Sequence, residues 1–307
     1  MSALITAQDV TVTARAPGGK RMTIIHDVSL SLQAGETLGI VGESGSGKTT
    51  LIRALLGLQP RSAGEVTFAG GNLRRETAMI FQDPVSSLSP RIRIGALITE
   101  PFIIHGEPIA DRKAKAAELL ATVGLPADFA DRVPHELSGG QARRAGVARA
   151  LALKPRLVVA DEPTAGLDVS VQGEILNLMA DLKQQFGLSY IIVTHNLAMI
   201  RHVSDRLAIM YLGRLVEEGP TADVFANPSH PYTKSLIDSE PIPDPRQRRH
   251  GAPLAGETPS ILARPWGCEF HPRCPMAQSR CTTEAPLLTE AGNGRRLRCH
   301  YPLPQGE

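Results

Sequence analysis

Alternating apolar and polar residues mark the first 35 positions of this chain of 307 residues. Segments 10–13 (Val-Thr-Val-Thr) and 28–32 (Val-Ser-Leu-Ser-Leu) repeat with the period of two that is typical of half-buried strands. We therefore expect antiparallel strands in this region. Residues 156–225 instead alternate apolar runs with helix-length segments, which predicts a parallel α/β sheet.

Residues 91–150 are predicted to be mostly helical, with Pro101 among the residues that break the first part. The segment 110–123 has the spacing of an amphipathic helix. Its apolar side is predicted to carry Ala114, Ala117, Leu120 and Val123.

A glycine-rich segment lies between an apolar run at 38–41 and a helix predicted at 50–58. Residues 42–49 read Gly-Glu-Ser-Gly-Ser-Gly-Lys-Thr, the pattern of a P-loop. Its glycines permit turns closed to residues with a Cβ, so successive N–H groups can point at phosphate oxygens. Lys48 can supply charge to the β- and γ-phosphates, and the Thr49 hydroxyl can ligate Mg²⁺. The residues predicted to bind nucleotide here are Gly42, Ser44, Gly45, Gly47, Lys48, Thr49 and Thr50.

Residues 137–141 read Leu-Ser-Gly-Gly-Gln and precede a helical stretch predicted at 142–153. A serine and two glycines at a helix N-terminus form a second anion-binding segment, although the same residues also suit a helix-capping turn. The composition accommodates only one nucleotide fold. We therefore expect Ser138, Gly140 and Gln141 to close over a nucleotide held by another subunit.

Two carboxylates, Asp161 and Glu162, follow the apolar run 157–160. Ligands bind at the carboxyl edge of parallel strands, so Asp161 is expected to hold the Mg²⁺ shell. Glu162 is expected to polarise the attacking water as general base. Taken in isolation, the same Asp-Glu-Pro sequence would suit a solvated turn at the end of a strand.

In this order the motifs resemble those of the ATP-binding subunits of ABC transporters, in which residues 137–141 are the signature motif. The resemblance implies an α/β P-loop NTPase with a RecA-like parallel sheet core, an antiparallel β subdomain and a helical subdomain at about 91–150. ATP and Mg²⁺ are the implied ligands. Gln82 is implied to contact both the metal shell and a membrane partner. His195 is implied to touch the γ-phosphate and orient the catalytic water, and Asp168 to lie in a loop along a dimer seam.

Residues 227–233 read Asn-Pro-Ser-His-Pro-Tyr-Thr and closely resemble a segment of the ATPases of oligopeptide, dipeptide and nickel importers. This resemblance implies the ATP-hydrolysing subunit of an importer. The implied partners are a second ATP-binding subunit (identical or paralogous), two transmembrane permease subunits and an extracytoplasmic solute-binding protein, with no nucleic acid. The transported solute stays open. A nucleotide-binding domain is expected at 1–230 and a C-terminal extension at 231–307.

Two alternatives belong to other functional classes. ABC ATPases of nucleic-acid metabolism usually carry a long coiled-coil insertion or two fused cassettes, and this sequence shows neither. An exporter ATPase is disfavoured by the segment at 227–233 and by the cysteines near the C-terminus.

Composition adds little to this picture. Thirty-three basic and 31 acidic residues give a formal net charge of +2, so charge alone indicates neither nucleic acid nor a membrane surface. No apolar run approaches the roughly 18–20 residues of a membrane span, and the first residues lack the pattern of a secretory signal. We expect a peripheral protein at the cytoplasmic face of the inner membrane.

Four cysteines lie in the last 40 residues, at Cys268, Cys274, Cys281 and Cys299. In a reducing cytosol clustered cysteines more often bind metal than form disulfides. Four thiolates suit a [4Fe-4S] cluster or structural Zn²⁺, and the tight C-x2-4-C spacing usual for zinc is absent. The resemblance to peptide-importer ATPases implies a [4Fe-4S] cluster, with zinc and free thiols as alternatives. The prolines and arginines of 241–259 predict an irregular linker before the cysteines.

One departure from the resembled family concerns the base of the nucleotide. Most of these ATPases place an aromatic residue upstream of the P-loop, whereas the first aromatic residue here is Phe68. The equivalent position falls near Arg21 or Met22. We therefore expect weak discrimination of ATP from GTP.

Overall fold

The computed structural model describes residues 3–15, 18–19, 21–83, 88–240 and 256–304. Residues 241–255, which hold most of the predicted linker, lie outside the described residues. The strands are β1 (Ala3–Arg15), β2 (Arg21–Gln33), β3 (Thr37–Val41), β4 (Ala63–Phe68), β5 (Thr77–Ile80), β6 (Leu157–Asp161), β7 (Ser189–Thr194), β8 (Arg206–Tyr211), β9 (Arg214–Pro220), β10 (Thr289–Glu290) and β11 (Arg296–Leu297). The helices are α1 (Lys48–Leu55), α2 (Leu73–Glu76), α3 (Ile94–Ile104), α4 (Arg112–Thr122), α5 (Gly139–Leu151), α6 (Val169–Phe186), α7 (Leu197–Val203), α8 (Thr221–Ala226), α9 (Pro231–Asp238) and α10 (Ser279–Thr283).

These elements fall into two compact units. The first unit consists of Met1–Leu4, Gln33–Glu36 and Phe68–Val193. The second consists of Ile5–Leu32, Thr37–Thr67 and Thr194–Glu307.

Parallel strands form the core of the first unit. β6 pairs in parallel with β5 on one side and with β7 on the other, with Val159 opposite both Met79 and Ile191. Every residue of β6 is buried, as expected for a strand covered on both faces. This arrangement brings the end of β6, where the two carboxylates lie, to the edge at which parallel sheets bind ligands.

The first unit also contains the predicted helical region, and two details of the prediction are wrong. Ala114 is exposed, because Asp111 caps α4 by accepting the N–H groups of Lys113 and Ala114 at its solvent-facing start. The buried side chains of α4 are Ala116, Leu119 and Leu120, followed by Val123. Pro101 does not break α3, which continues for one turn to Ile104.

The second unit holds strands of two sheets. β2, β1 and β4 are neighbours in that order, which agrees with the predicted antiparallel β subdomain. In the other sheet, β3 pairs in parallel with β8, and β9 pairs with β8 antiparallel. The P-loop follows β3, so it extends from a buried parallel strand as the sequence predicts.

The described residues after 230 belong to this second unit. β11 pairs antiparallel with β9, with Leu297 opposite Glu217 and Arg296 opposite Glu218. Both carboxylates are fully buried, and Arg295 and Arg296 form ion pairs with Glu217 and Glu218 respectively. The C-terminal segment is therefore attached to the sheet by backbone pairing and by buried charge pairs.

Among the residues that the structure describes, no helix has the length and apolar character needed to cross a membrane.

Candidate functional site

Backbone geometry explains the glycines of the loop between β3 and α1. A Cβ on Gly42 would lie 2.2 Å from the carbonyl oxygen of Met210. Gly45 and Gly47 have φ angles of 78° and 97°, in the left-handed region that favours glycine. A residue with a Cβ would therefore collide at Gly42 and be strained at Gly45 and Gly47, which accounts for the three glycines of this loop.

Lys48 begins α1, and its side chain folds back over the loop. Its Nζ donates to the carbonyl oxygens of Gly42 (2.7 Å) and Glu43 (2.8 Å) and to Ser46 Oγ (3.4 Å). Lys48 is buried, and α1 has no side-chain cap on the N–H groups of its first turn. A buried positive charge at a helix N-terminus is an environment that favours an anion.

The other predicted residues of the second unit lie around the same loop or after β7. Thr49 and Thr50 are half-buried in the first turn of α1, and Ser44 is exposed. His195 is exposed, and the next residue, Asn196, caps α7 by accepting the N–H of Met199 at 3.0 Å.

In the first unit, the two carboxylates occupy the end of β6 as predicted. Asp161 is buried. Glu162 has a φ of 49°, and its N–H donates to the carbonyl oxygen of Val193 at 2.9 Å. A non-glycine residue in this region carries backbone strain that the surrounding structure must hold, which is common at functional sites. The turn directs Glu162 away from the course of the strand.

Arg143 is a site residue that the sequence analysis missed. From α5 its guanidinium donates to the carbonyl oxygens of Gln82 (3.2 Å), Glu162 (3.1 Å) and Ala165 (2.9 Å), and also to that of Pro163. Burial lowers the pKa of the Arg143 side chain. One buried cation thus joins the Gln82 loop, the Glu162 turn and the helix that follows the signature segment.

The signature segment is an exposed helix start. Ser138 Oγ accepts the N–H of Gln141 (3.3 Å), while Gln141 Oε1 accepts the N–H of Ser138 (3.0 Å). The helix-capping alternative is therefore real, and it coexists with exposure of Ser138 and Gly139. A Cβ on Gly140 would lie 3.0 Å from Val171 Cγ1, which explains the glycine and places this segment beside the start of α6.

Asp168 is the N-cap residue of α6 and is exposed, and its side chain makes no capping hydrogen bond. The first unit therefore brings Gln82, Glu162, the signature segment and the Asp168 loop together around Arg143 and Gly140. The second unit holds the P-loop and His195. Their joint action in one reaction stays a prediction.

The four cysteines, also in the second unit, line one small cavity of about 10 Å³. His230, Phe270 and Met276 contribute to the same lining. Burial raises the pKa of Cys268 to about 12 and that of Cys299 to about 11. Within the described ranges no group of three or more His, Cys, Asp or Glu side chains is arranged to hold a metal ion.

Arg21 and Met22 begin β2 in the second unit. Arg21 is exposed and Met22 is half-buried. The side chains at the predicted base-binding position are therefore not buried in a core.

Comparison with protein families places two models on the chain. The model described as "ABC transporter" matches residues 25–165. The model described as "Oligopeptide/dipeptide transporter, C-terminal region" matches residues 216–281. The first match includes the P-loop, the signature segment and Asp161-Glu162, and the second includes His230 and three of the four cysteines.

Similar proteins carry related descriptions. A probable peptide ABC transporter ATP-binding protein of Sinorhizobium fredii is 47% identical over 293 residues, covering 91% of this chain and 83% of that protein. An oligopeptide transport ATP-binding protein of Haemophilus influenzae is 43% identical over 290 residues, covering 90% of this chain and 87% of that protein.

Among solved structures, a dimeric ATP-binding cassette, MJ0796, in a post-hydrolysis state bound to ADP and Pi is 28% identical with a TM-score of 0.63. The match covers 71% of this chain and 98% of that one. With the P-loop cradle, the carboxylates after β6 and the importer-type C-terminal region on one chain, this protein is an ATPase that belongs to the ATP-binding subunits of the oligopeptide/dipeptide ABC transporter family.

Proposed function

We propose that this chain drives the uptake of oligopeptides, dipeptides or related solutes by hydrolysing ATP on behalf of membrane permease subunits. The observation that carries the proposal is the importer-type region at 216–281, which is built into the unit that holds the P-loop. There the Glu217 carboxylate accepts the N–H groups of Ser229 and His230, each at 2.9 Å. The names of the peptide-transport relatives support the same class of solute.

For ATP binding, the N–H groups of residues 42–49 and the Lys48 ammonium would hold the phosphates. The loop fits this ligand because its glycines permit turns in which successive N–H groups point at phosphate oxygens. Thr49, Asp161 and Gln82 would hold Mg²⁺, which when bound neutralises charge on the phosphates. Glu162 would accept a proton from the attacking water, and His195 would orient that water.

A second ATP-binding subunit, identical or paralogous, would complete each site. Ser138, Gly140 and Gln141 of one subunit would face the nucleotide held by Lys48 of the other, with Asp168 along the seam. The exposed start of α5 supports this arrangement, because its glycines leave backbone N–H groups accessible to an anion. The cassette described as a dimer bound to ADP and Pi supports the same stoichiometry.

The permease subunits would dock on the first unit near Gln82. Exposed apolar side chains of this unit include Phe81, Ile92, Ile103 and Ile104, which suit a protein partner. The chain would then be peripheral, at the cytoplasmic face of the inner membrane, and an extracytoplasmic solute-binding protein would supply the solute. We propose residues 1–230 as the nucleotide-binding domain and 231–307 as the extension.

Cys268, Cys274, Cys281 and Cys299 would hold a [4Fe-4S] cluster. The donor set fits, because all four cysteines line one cavity and four thiolates are the ligands of such a cluster. About four iron and four sulfide per chain after anaerobic purification would support the cluster. Zinc in their place, or no metal under either aerobic or anaerobic conditions, would contradict it.

Transport itself tests the proposal. The chain is co-expressed with its candidate permeases and its ATP-binding partner, and the purified complex is reconstituted with the solute-binding protein in vesicles. We expect ATP-dependent uptake of short peptides by wild type and none with Lys48→Ala. A complex that assembles and hydrolyses ATP but carries no peptide or related solute would contradict the proposed substrate class.

A further inference from the structure

Glu43, the residue after the first glycine of the P-loop, is held at three points by other parts of the second unit. Its N–H donates to the Tyr232 hydroxyl oxygen at 2.9 Å. Its carbonyl oxygen accepts from Lys48 Nζ at 2.8 Å. Its carboxylate accepts from the Thr258 hydroxyl at 2.7 Å. The position of Glu43 thus sets the position of the Lys48 ammonium.

Arg273 makes a further contact to the Glu43 carboxylate, and this contact is bidentate. Nη1 donates to Glu43 Oε2 at 2.8 Å, and Nη2 donates to Oε1 at 2.9 Å. The Arg273 side chain is only 5% exposed. A bidentate pair between a guanidinium and a carboxylate fixes orientation as well as distance.

The charges in this contact matter for nucleotide binding. Burial raises the pKa of the Glu43 carboxyl, but hydrogen bonds from Arg273 and Thr258 outweigh burial and bring the pKa below its ordinary value. Glu43 is therefore a carboxylate in the phosphate loop, where it would repel a triphosphate. The positive charge of Arg273 offsets the negative charge of the Glu43 carboxylate and so weakens this repulsion.

Arg273 is also the residue immediately before Cys274. Its N–H donates to the carbonyl oxygen of Phe270, and Phe270 lines the cysteine cavity with Cys274. The Phe270 ring packs against Tyr211 and Tyr232, with ring centroids 5.3 Å apart in both pairs. A packed cluster thus extends from the cysteine cavity to Tyr232 and Arg273, two of the side chains that hold Glu43.

We propose that Arg273 is a positioning residue of the nucleotide site, which holds Glu43 so that the P-loop and Lys48 are pre-arranged for phosphate. Affinity for nucleotide is then coupled to the order of the cysteine-bearing segment, and by linkage nucleotide stabilises that segment in turn. The inference rests on the proposed function in one respect, the assignment of residues 42–49 to nucleotide.

Calorimetric titration of the full-length chain with MgADP tests the inference. Arg273→Ala is expected to raise the Kd about tenfold, because a carboxylate is left unpaired beside the phosphates. Arg273→Lys keeps the charge but loses the bidentate geometry, so it should recover part of the affinity. For Arg273→Ala the KM for ATP should rise by a larger factor than kcat falls, because the contact acts first on phosphate binding.

Glu43→Gln separates positioning from general stability. With the carboxylate removed, Arg273→Ala should cost less than about threefold further in Kd. Arg280→Ala is the matched control, because Arg280 lies in the same C-terminal segment and pairs with the exposed Glu284. Its Kd should equal that of wild type.

Two results would overturn the inference. One is a Kd for Arg273→Ala equal to that of Arg280→Ala. The other is an equal cost of Arg273→Ala in the presence and absence of Glu43→Gln, which would indicate a purely structural effect. Lys48→Ala tests the premise that residues 42–49 bind nucleotide. Undiminished MgADP binding by that variant would refute this assignment rather than the role of Arg273.

Discussion

The guanidinium of Arg143 lies 3.1 Å from the carbonyl oxygen of Glu162, the residue expected to act as general base. The same side chain donates to the carbonyl oxygen of Gln82 at 3.2 Å. A buried cation on the helix of the signature segment therefore fixes the backbone of two other motifs. A movement of α5 would therefore displace the backbone at both Gln82 and Glu162.

Replacing Arg143 should break the hydrogen bonds that connect the Gln82 loop and the Glu162 turn to α5. Arg143→Lys keeps a positive charge but cannot reach four carbonyl oxygens at once. We expect the free energy of unfolding to fall by about 2–4 kcal/mol and ATP turnover to fall more than about tenfold. Urea unfolding and phosphate release measure these effects. Arg93→Lys, which alters an exposed pair with Asp131, is the control and should change neither quantity.

Glu162→Gln should nearly abolish hydrolysis while leaving nucleotide binding intact. The amide keeps the shape of the side chain but cannot accept the proton of the attacking water, so turnover should fall by at least about 100-fold. With hydrolysis blocked, an ATP-bound dimer should accumulate and be visible by size exclusion with ATP. Glu118→Gln, on the exposed part of α4, should behave as wild type. Unchanged hydrolysis by Glu162→Gln would refute the assigned base.

Glu217 should be the most sensitive acidic position for the stability of the second unit. The fully buried carboxylate pairs with Arg295 and accepts two backbone N–H groups. Glu217→Ala leaves the Arg295 guanidinium and the two N–H groups buried without this acceptor. We therefore expect the free energy of unfolding to fall by about 3–5 kcal/mol. Glu284→Ala removes an exposed carboxylate and should leave the urea midpoint unchanged. Equal midpoints for the two variants would contradict this account of the buried pair.

Nucleotide preference tests the absence of an upstream aromatic residue. Arg21 is exposed and Met22 half-buried, so we expect turnover of ATP and GTP to differ by less than about threefold. Arg21→Tyr should lower the KM for both nucleotides, because a ring can stack on either base. A large preference for ATP in the wild-type chain would show that another side chain recognises adenine.

The sequence indicates those parts of the candidate site that depend on local motifs, but not the contacts that depend on tertiary structure. The P-loop, the signature segment and the Asp161-Glu162 pair are each a short continuous stretch of sequence. Each also lies next to a strand or helix that the sequence predicts. Arg143 looks like an ordinary surface arginine in the sequence, because its four acceptors are backbone oxygens of distant residues. Arg273 was not predicted either, because its partner Glu43 is distant in the sequence and the adjacent Cys274 suggests a metal site.

The errors within the helical region have a similar origin. Alanine is compatible with either face of a helix, so the spacing in α4 could not decide between Ala114 and Ala116. Pro101 lies inside α3 because buried Ile94, Leu97 and Ile98 hold the helix against its surroundings. Packing there outweighs the hydrogen bond that proline cannot make.

The central claim is that Ser138 of one subunit acts on the nucleotide bound by another. The most direct test is ATP turnover of the wild-type chain and of Ser138→Arg, measured together with the fraction of dimer at each protein concentration. The account predicts that wild-type turnover rises with the dimer fraction. It also predicts that Ser138→Arg loses at least about 100-fold in turnover while MgADP binding at the intact P-loop is unchanged. A strictly monomeric chain that hydrolyses ATP at full rate, with no loss on replacing Ser138, would contradict it.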